Sequence, residues 1–99
     1  MSEVAAKEKF FVDPFYAGHG VGKYIHMKPL VSHTLDHSNV VMEEGMVFTI
    51  EPILTMFPFG VEDLCIWRDN WTVSVKDNPS AQYEHMVLIK QNGCEVLTR

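Results

Sequence analysis

Two carboxylates and two histidines carry the chemistry that this sequence offers. Glu51 stands in Thr49-Ile50-Glu51-Pro52 and Glu84 in Gln82-Tyr83-Glu84-His85, each inside a run that reads as a strand with mostly apolar neighbours. An ionised carboxylate buried there without a partner costs several kcal/mol. It must be protonated, paired with a cation or bound to a metal. Cations are scarce: the arginines are Arg68 and Arg99, and the lysines fall mostly in loops and at strand ends. A metal is therefore the economical partner. His19 lies in the glycine-rich stretch Gly18-His19-Gly20-Val21-Gly22, where backbone can approach a ligand closely, and His26 follows with Lys28-Pro29 behind it. One histidine with two carboxylates suits borderline divalent ions such as Mn, Fe, Co or Zn. His33 and His37 fall in the polar stretch 32–39, which reads as a solvated loop. His85 points to the face opposite Glu84 by strand alternation and reads as a structural partner.

The elements that must position these groups are mostly strands. Residues 2–9 are good helix formers too few to sustain an isolated helix, and residues 10–16 are β-branched and aromatic but interrupted by Asp13 and Pro14, as in an edge or bent strand. Three glycines in residues 18–22 predict a loop, because regular structure there costs too much entropy. Residues 46–54 (MVFTIEPIL) predict a strand apolar on both faces, 71–75 (WTVSV) a short strand opening after the Asp69-Asn70 turn signal, and 81–90 (AQYEHMVLIK) the longest strand. Gln91-Asn92-Gly93 supplies a tight turn into Glu95-Val96-Leu97, and Pro52, Pro58 and Pro79 fall at strand ends or between strands.

The chain has 99 residues, 46% of them hydrophobic, with 8 Lys+Arg against 13 Asp+Glu and a net charge of -5. That is room for one domain and one core, burying roughly 60–65% of the unfolded surface. The acidic balance argues against nucleic acid, whose binders concentrate Lys and Arg on one face. No stretch approaches the roughly 18–20 apolar residues of a membrane span. The start lacks a secretory signal, so a cytoplasmic setting is expected. Cys65 and Cys94 lie in no CxxC arrangement and read as reduced thiols. The acceptor tripeptide at 70–72 needs a secreted context and is set aside.

Five blocks then stand in a familiar order: the stretch 18–22; His26 with Pro29; Glu44-Gly45-Met46-Val47-Phe48-Thr49-Ile50-Glu51-Pro52; Trp71-Thr72-Val73; and Ser80-Ala81-Gln82-Tyr83-Glu84-His85. With the tail Gly93-Cys94-Glu95-Val96-Leu97-Thr98, they resemble the C-terminal half of a type I methionine aminopeptidase. The resemblance implies half of the α/β pita-bread fold, a curved antiparallel sheet with a flanking helix. It implies metal-dependent hydrolysis at the N-termini of nascent polypeptides, removing the initiator methionine.

By the same resemblance His19, Glu51 and Glu84 match metal ligands of a dinuclear site, Glu84 bridging both ions, and Glu51 doubles as a proton shuttle. His26 matches the histidine that hydrogen-bonds the scissile amide or the tetrahedral intermediate, and Ile25 and Trp71 match positions near the pocket for the methionine side chain. The family's two aspartate ligands have no counterpart: Asp13, Asp36, Asp63, Asp69 and Asp77 stand outside their motif. The expectation is therefore one weakly bound divalent ion (Co, Mn, Fe or Zn) at most, no activity alone, and a complementing N-terminal half as partner. Departures are Ile25 where an aromatic is usual, Met27-Lys28 where acids are usual, and the insert-like run 56–60. A proline-specific relative of the aminopeptidase P and prolidase group, and a non-catalytic binding module on the same half-fold, are the alternatives.

Overall fold

The computed structural model describes residues 1–35 and 38–99. The helix α1 (Ser2–Lys7) carries Glu3 in its first turn and Lys7 in its last, the arrangement that complements the helix dipole. It is too short to stand alone. It buries Ala5 and packs against β1 (Phe11–Val12). The strand expected across residues 10–16 stops there because Asp13 Oδ1 accepts the Phe15 and Tyr16 amides at 2.6 and 3.2 Å, pulling the chain into a turn.

The glycine-rich stretch corrects the expectation of a loop. Gly18–Gly20 is strand β2, inside a five-stranded sheet between β3 (Met27–Val31) and β4 (Val47–Ile50). Close approach is the reason glycine is used. A Cβ on Gly18 would lie 2.2 Å from the Thr49 carbonyl oxygen, and one on Gly20 would lie 2.0 Å from that of Lys28. The entropy lost by glycine is offset by hydrogen bonding that no larger residue would permit. The β2/β3 register slips between His19 and Gly20, the kind of irregularity that re-aims a side chain.

The two long strands expected from hydrophobic runs are each broken. Residues 46–54 form β4 and, after Glu51-Pro52, β5 (Ile53–Thr55). Past β6 (Leu64–Ile66) and β7 (Val73–Val75), residues 81–90 divide between β8 (Ser80–Gln82) and β9 (His85–Lys90), with Tyr83-Glu84 between them. Turn residues 91–92 lead into β10 (Gly93–Val96), as the turn signal predicts.

All pairing is antiparallel. The larger sheet runs β10-β9-β4-β2-β3, a second runs β1-β5-β8, and β6-β7 form a ribbon. Both breaks therefore mark the passage of the chain from one sheet to the other, and they lie side by side. Ile50 pairs with His85 and Ile53 with Gln82, which leaves Glu51 opposite Glu84 and Pro52 opposite Tyr83. Proline at such a crossing interrupts no ladder. Among the described residues the buried apolar side chains are Ala5, Phe48, Val75 and Val87.

Candidate functional site

The site is built where β2, β4 and the paired strand breaks meet. The β2/β4 pairing of Gly20 with Phe48 brings His19 beside Thr49. Thr49 and Glu51 are two apart on an extended chain and so share a face. His19 Nδ1 lies 3.1 Å from the Gly20 carbonyl oxygen. A carbonyl only accepts, so Nδ1 carries the proton, and in the neutral ring Nε2 is then the nitrogen with the lone pair. That lone pair stands 3.4 Å from Glu51 Oε1. Two acceptors facing each other require a proton or a cation between them. Two donors bound tetrahedrally to one ion at zinc distances stand about 3.4 Å apart, so the pair fits a divalent cation as part of a donor set. A hydrogen bond from Nδ1 to a carbonyl is the usual device for fixing such a ligand's tautomer.

Glu51 is held at both ends. Thr49 Oγ1 donates to its Oε1 at 2.7 Å, and its backbone amide donates to His33 Nε2 at 3.1 Å. His33 is thus the main correction among the histidines: expected in a solvated loop, it is 3% exposed. Its neighbours in sequence are polar, but its ring is covered by packing from distant elements. Burial holds its imidazole below the ordinary value despite the opposing attraction of the Glu51 carboxylate. The neutral ring is the form that can accept the Glu51 amide. His37, read in the same way, lies outside the described residues.

His26, immediately before β3, is exposed, and its ring lies 4.3 Å centre to centre from that of His19. Glu84 is corrected from a buried mid-strand position to an exposed one at the β8/β9 break. It faces Glu51 by register, yet among the described residues no three His, Cys, Asp or Glu side chains converge to hold a metal. The structure brings together His19, Glu51 and His26, with Glu84 across the break. His85 serves as a structural partner: its Nδ1 lies 3.0 Å from Thr98 Oγ1 and its ring meets Tyr83.

Ile25 and Trp71 are both exposed, at 71% and 83%. Trp71 sits in the β6-β7 turn, where Asp69 Oδ1 accepts the amides of Trp71 and Thr72 at 3.0 and 2.9 Å and Oδ2 accepts the Thr72 hydroxyl. These bonds, that from the Thr72 side chain foremost, hold the Asp69 carboxyl below its ordinary value. Within the insert-like run, Phe57 is held by side chains: Asn78 Oδ1 accepts its amide at 3.0 Å, and Asn78 Nδ2 and Thr55 Oγ1 both donate to its carbonyl. Cys65 and Cys94 are free and exposed. Thr49 and His33 were missed as site residues. Thr49 could have been found two positions before Glu51 on the same face, whereas nothing near His33 signals its burial.

The antiparallel sheet crossing into a second sheet, with His19 and Glu51 facing each other beside the crossing, is half of the pita-bread fold of metallopeptidases. The chain belongs to metallopeptidase family M24, whose model matches residues 1–91. It is 47% identical to the methionine aminopeptidase of Buchnera aphidicola over 90% of this chain and 33% of the relative. It is 43% identical to methionine aminopeptidase 1D, mitochondrial, of Homo sapiens over 100% of this chain and 29% of the relative. The structure superposes on the crystal structure of methionine aminopeptidase from Rickettsia prowazekii with a TM-score of 0.83 and 33% identity, covering 99% of this chain and 40% of that one. The chain thus spans about a third of the length of the curated relatives it matches.

Proposed function

We propose that the chain supplies part of the metal site and substrate pocket of a methionine aminopeptidase, which removes the initiator methionine from nascent polypeptides. The observation that carries this reading is His19 Nε2 held 3.4 Å from Glu51 Oε1. His19 and Glu51 would hold a divalent ion (Co, Mn, Fe or Zn), with Glu84 as a further donor across the strand break. When bound, two such ions supply an activated water at neutral pH and polarise the scissile carbonyl. Glu51, kept in place at its amide and its carboxylate, would serve as the proton carrier of the site. His26 donates a hydrogen bond to the peptide group under attack, and Ile25 and Trp71 wall the methionine side chain. The relatives named above bear the name methionine aminopeptidase, which supports this reading over the proline-specific alternative. Human and zebrafish relatives bear a mitochondrial name, and the work we assign to this chain belongs to the cytoplasm or that organelle.

The test is complementation. The 99-residue chain should be inactive alone on methionyl peptides with Co or Mn, and should gain activity when mixed with the N-terminal half of a type I methionine aminopeptidase. That activity should disappear on Glu51→Gln. A mixed complex that forms yet cleaves no methionyl peptide overturns the reading.

A further inference from the structure

We propose that Thr49 is a positioning residue whose single hydroxyl registers His19 against Glu51; the inference rests on the metal reading of that pair. Thr49 is 3% exposed. Its Oγ1 accepts the His19 backbone amide at 3.0 Å. The one hydroxyl proton has two acceptors within reach, Glu51 Oε1 at 2.7 Å and the His19 carbonyl at 3.5 Å. It goes to Glu51, because the bond is shorter and assisted by the carboxylate charge. One atom therefore ties the backbone of one donor to the carboxylate of the other. The oxygen it pins, Oε1, is the same oxygen that faces His19 Nε2.

Two further features make this link stiff. Threonine is branched at Cβ, which restricts χ1 and keeps the hydroxyl aimed. Gly18 lets β2 come close enough for the amide to reach it, since any side chain there would run into the Thr49 carbonyl. Without the hydroxyl the Glu51 carboxylate loses the bond that selects its rotamer, and the two donors no longer arrive in register. Groups that orient metal ligands in this way typically change metal affinity by 10–100-fold.

The experiment titrates the full chain with CoCl2 and follows the visible d–d absorption of the bound ion. Thr49→Val, which keeps shape and branching but has no hydroxyl, should bind Co²⁺ about 10–100-fold more weakly and shift the band. Thr49→Ser should remain within about threefold of the parent chain. In the metal-free chain, hydrogen exchange of the His19 amide should speed up in Thr49→Val and stay slow in Thr49→Ser. Should circular dichroism show that Thr49→Val does not fold, Thr49→Ala takes its place with the same outcomes required. A hydroxyl-free variant with parental affinity and band overturns the assignment of Thr49. So does equal loss in Thr49→Ser and Thr49→Val, because packing of the methyl would then be what matters. A parent chain whose cobalt spectrum is that of the free ion, unchanged by Glu51→Gln, overturns instead the metal reading on which the proposal stands.

Discussion

At the residue scale the site separates groups that hold a cation from groups that face a substrate. His19 Nε2 and Glu51 Oε1 face each other at 3.4 Å, whereas the exposed His26 meets the His19 ring at a tilt of 58°. In the complemented complex, His26→Ala should lower turnover by roughly 10²–10³, the scale for one transition-state hydrogen-bond donor. Its Co²⁺ affinity should stay parental. A parallel loss of affinity would make His26 a ligand. A second residue-scale prediction concerns the glycines. Gly18→Ala forces a Cβ to 2.2 Å from backbone oxygen, while Gly22→Ala meets only the flexible Met27 sulfur at 3.2 Å. Chemical denaturation should show Gly18→Ala losing about 1–3 kcal/mol or more, and Gly22→Ala losing little. Comparable losses would mean that the approach of β2 to β4 is not what Gly18 protects. His19 and Glu51 were legible as candidates from a carboxylate among apolar residues together with a histidine among glycines, while the same carboxylate signal at Glu84 marked a residue that is exposed. His33 was not legible, since the groups around it, Ser2, Asp13, Tyr16 and Glu51, come from parts of the chain distant in sequence.

At the element scale, the expected strands were right in type and wrong in continuity. Hydrophobic runs mark where a strand is covered: 46–54 is covered along its length, whereas 81–84 are exposed and cover begins only at His85. What breaks them is a change of sheet at Glu51-Pro52 and Tyr83-Glu84, and pairing partners cannot be read from one strand's own residues. The turn at Asp69-Asn70 was legible because its chemistry is local: Asp69 accepts from Trp71 and Thr72, and Asn70 takes φ 57°. That locality yields a pH prediction. The Asp69 carboxyl is held below its ordinary value of 3.8 in the folded chain. Its contribution is therefore present above that pH and is lost as pH falls through the folded value, because protonation removes the charged acceptor. Tryptophan fluorescence from Trp67 and Trp71 should titrate in that acid window, and Asp69→Ala should abolish this transition. An unchanged acid titration in the variant would show that the turn is held by something else.

At the scale of the whole molecule, the chain exposes more than its mass accounts for. Its accessible surface is 7819 Å² at 11.3 kDa, where a compact monomer of that mass exposes about 5,700 Å². The radius of gyration, 14.7 Å, likewise exceeds the roughly 12.6 Å of a compact domain of this length. The surplus includes large apolar side chains from separate parts of the chain, among them Leu30, Val40, Val41, Met42 and Trp71. A core with few fully buried apolar residues contributes little to offset the cost of ordering the chain. The chain on its own should therefore bind an apolar dye such as ANS, show concentration-dependent association by sedimentation, and melt with a broad transition. Adding the N-terminal half of a type I methionine aminopeptidase should suppress dye binding and sharpen the melt in step with the gain of activity, because the same faces would be covered as the pocket is completed. Polar substitution at Val41 and Met42 should reduce self-association without touching Co²⁺ binding, which depends on the His19 and Glu51 side of the sheet. A sharply cooperative monomer that binds no dye would mean that these faces are tolerated in water and need no partner, and the binding-module reading would then gain over the peptidase one.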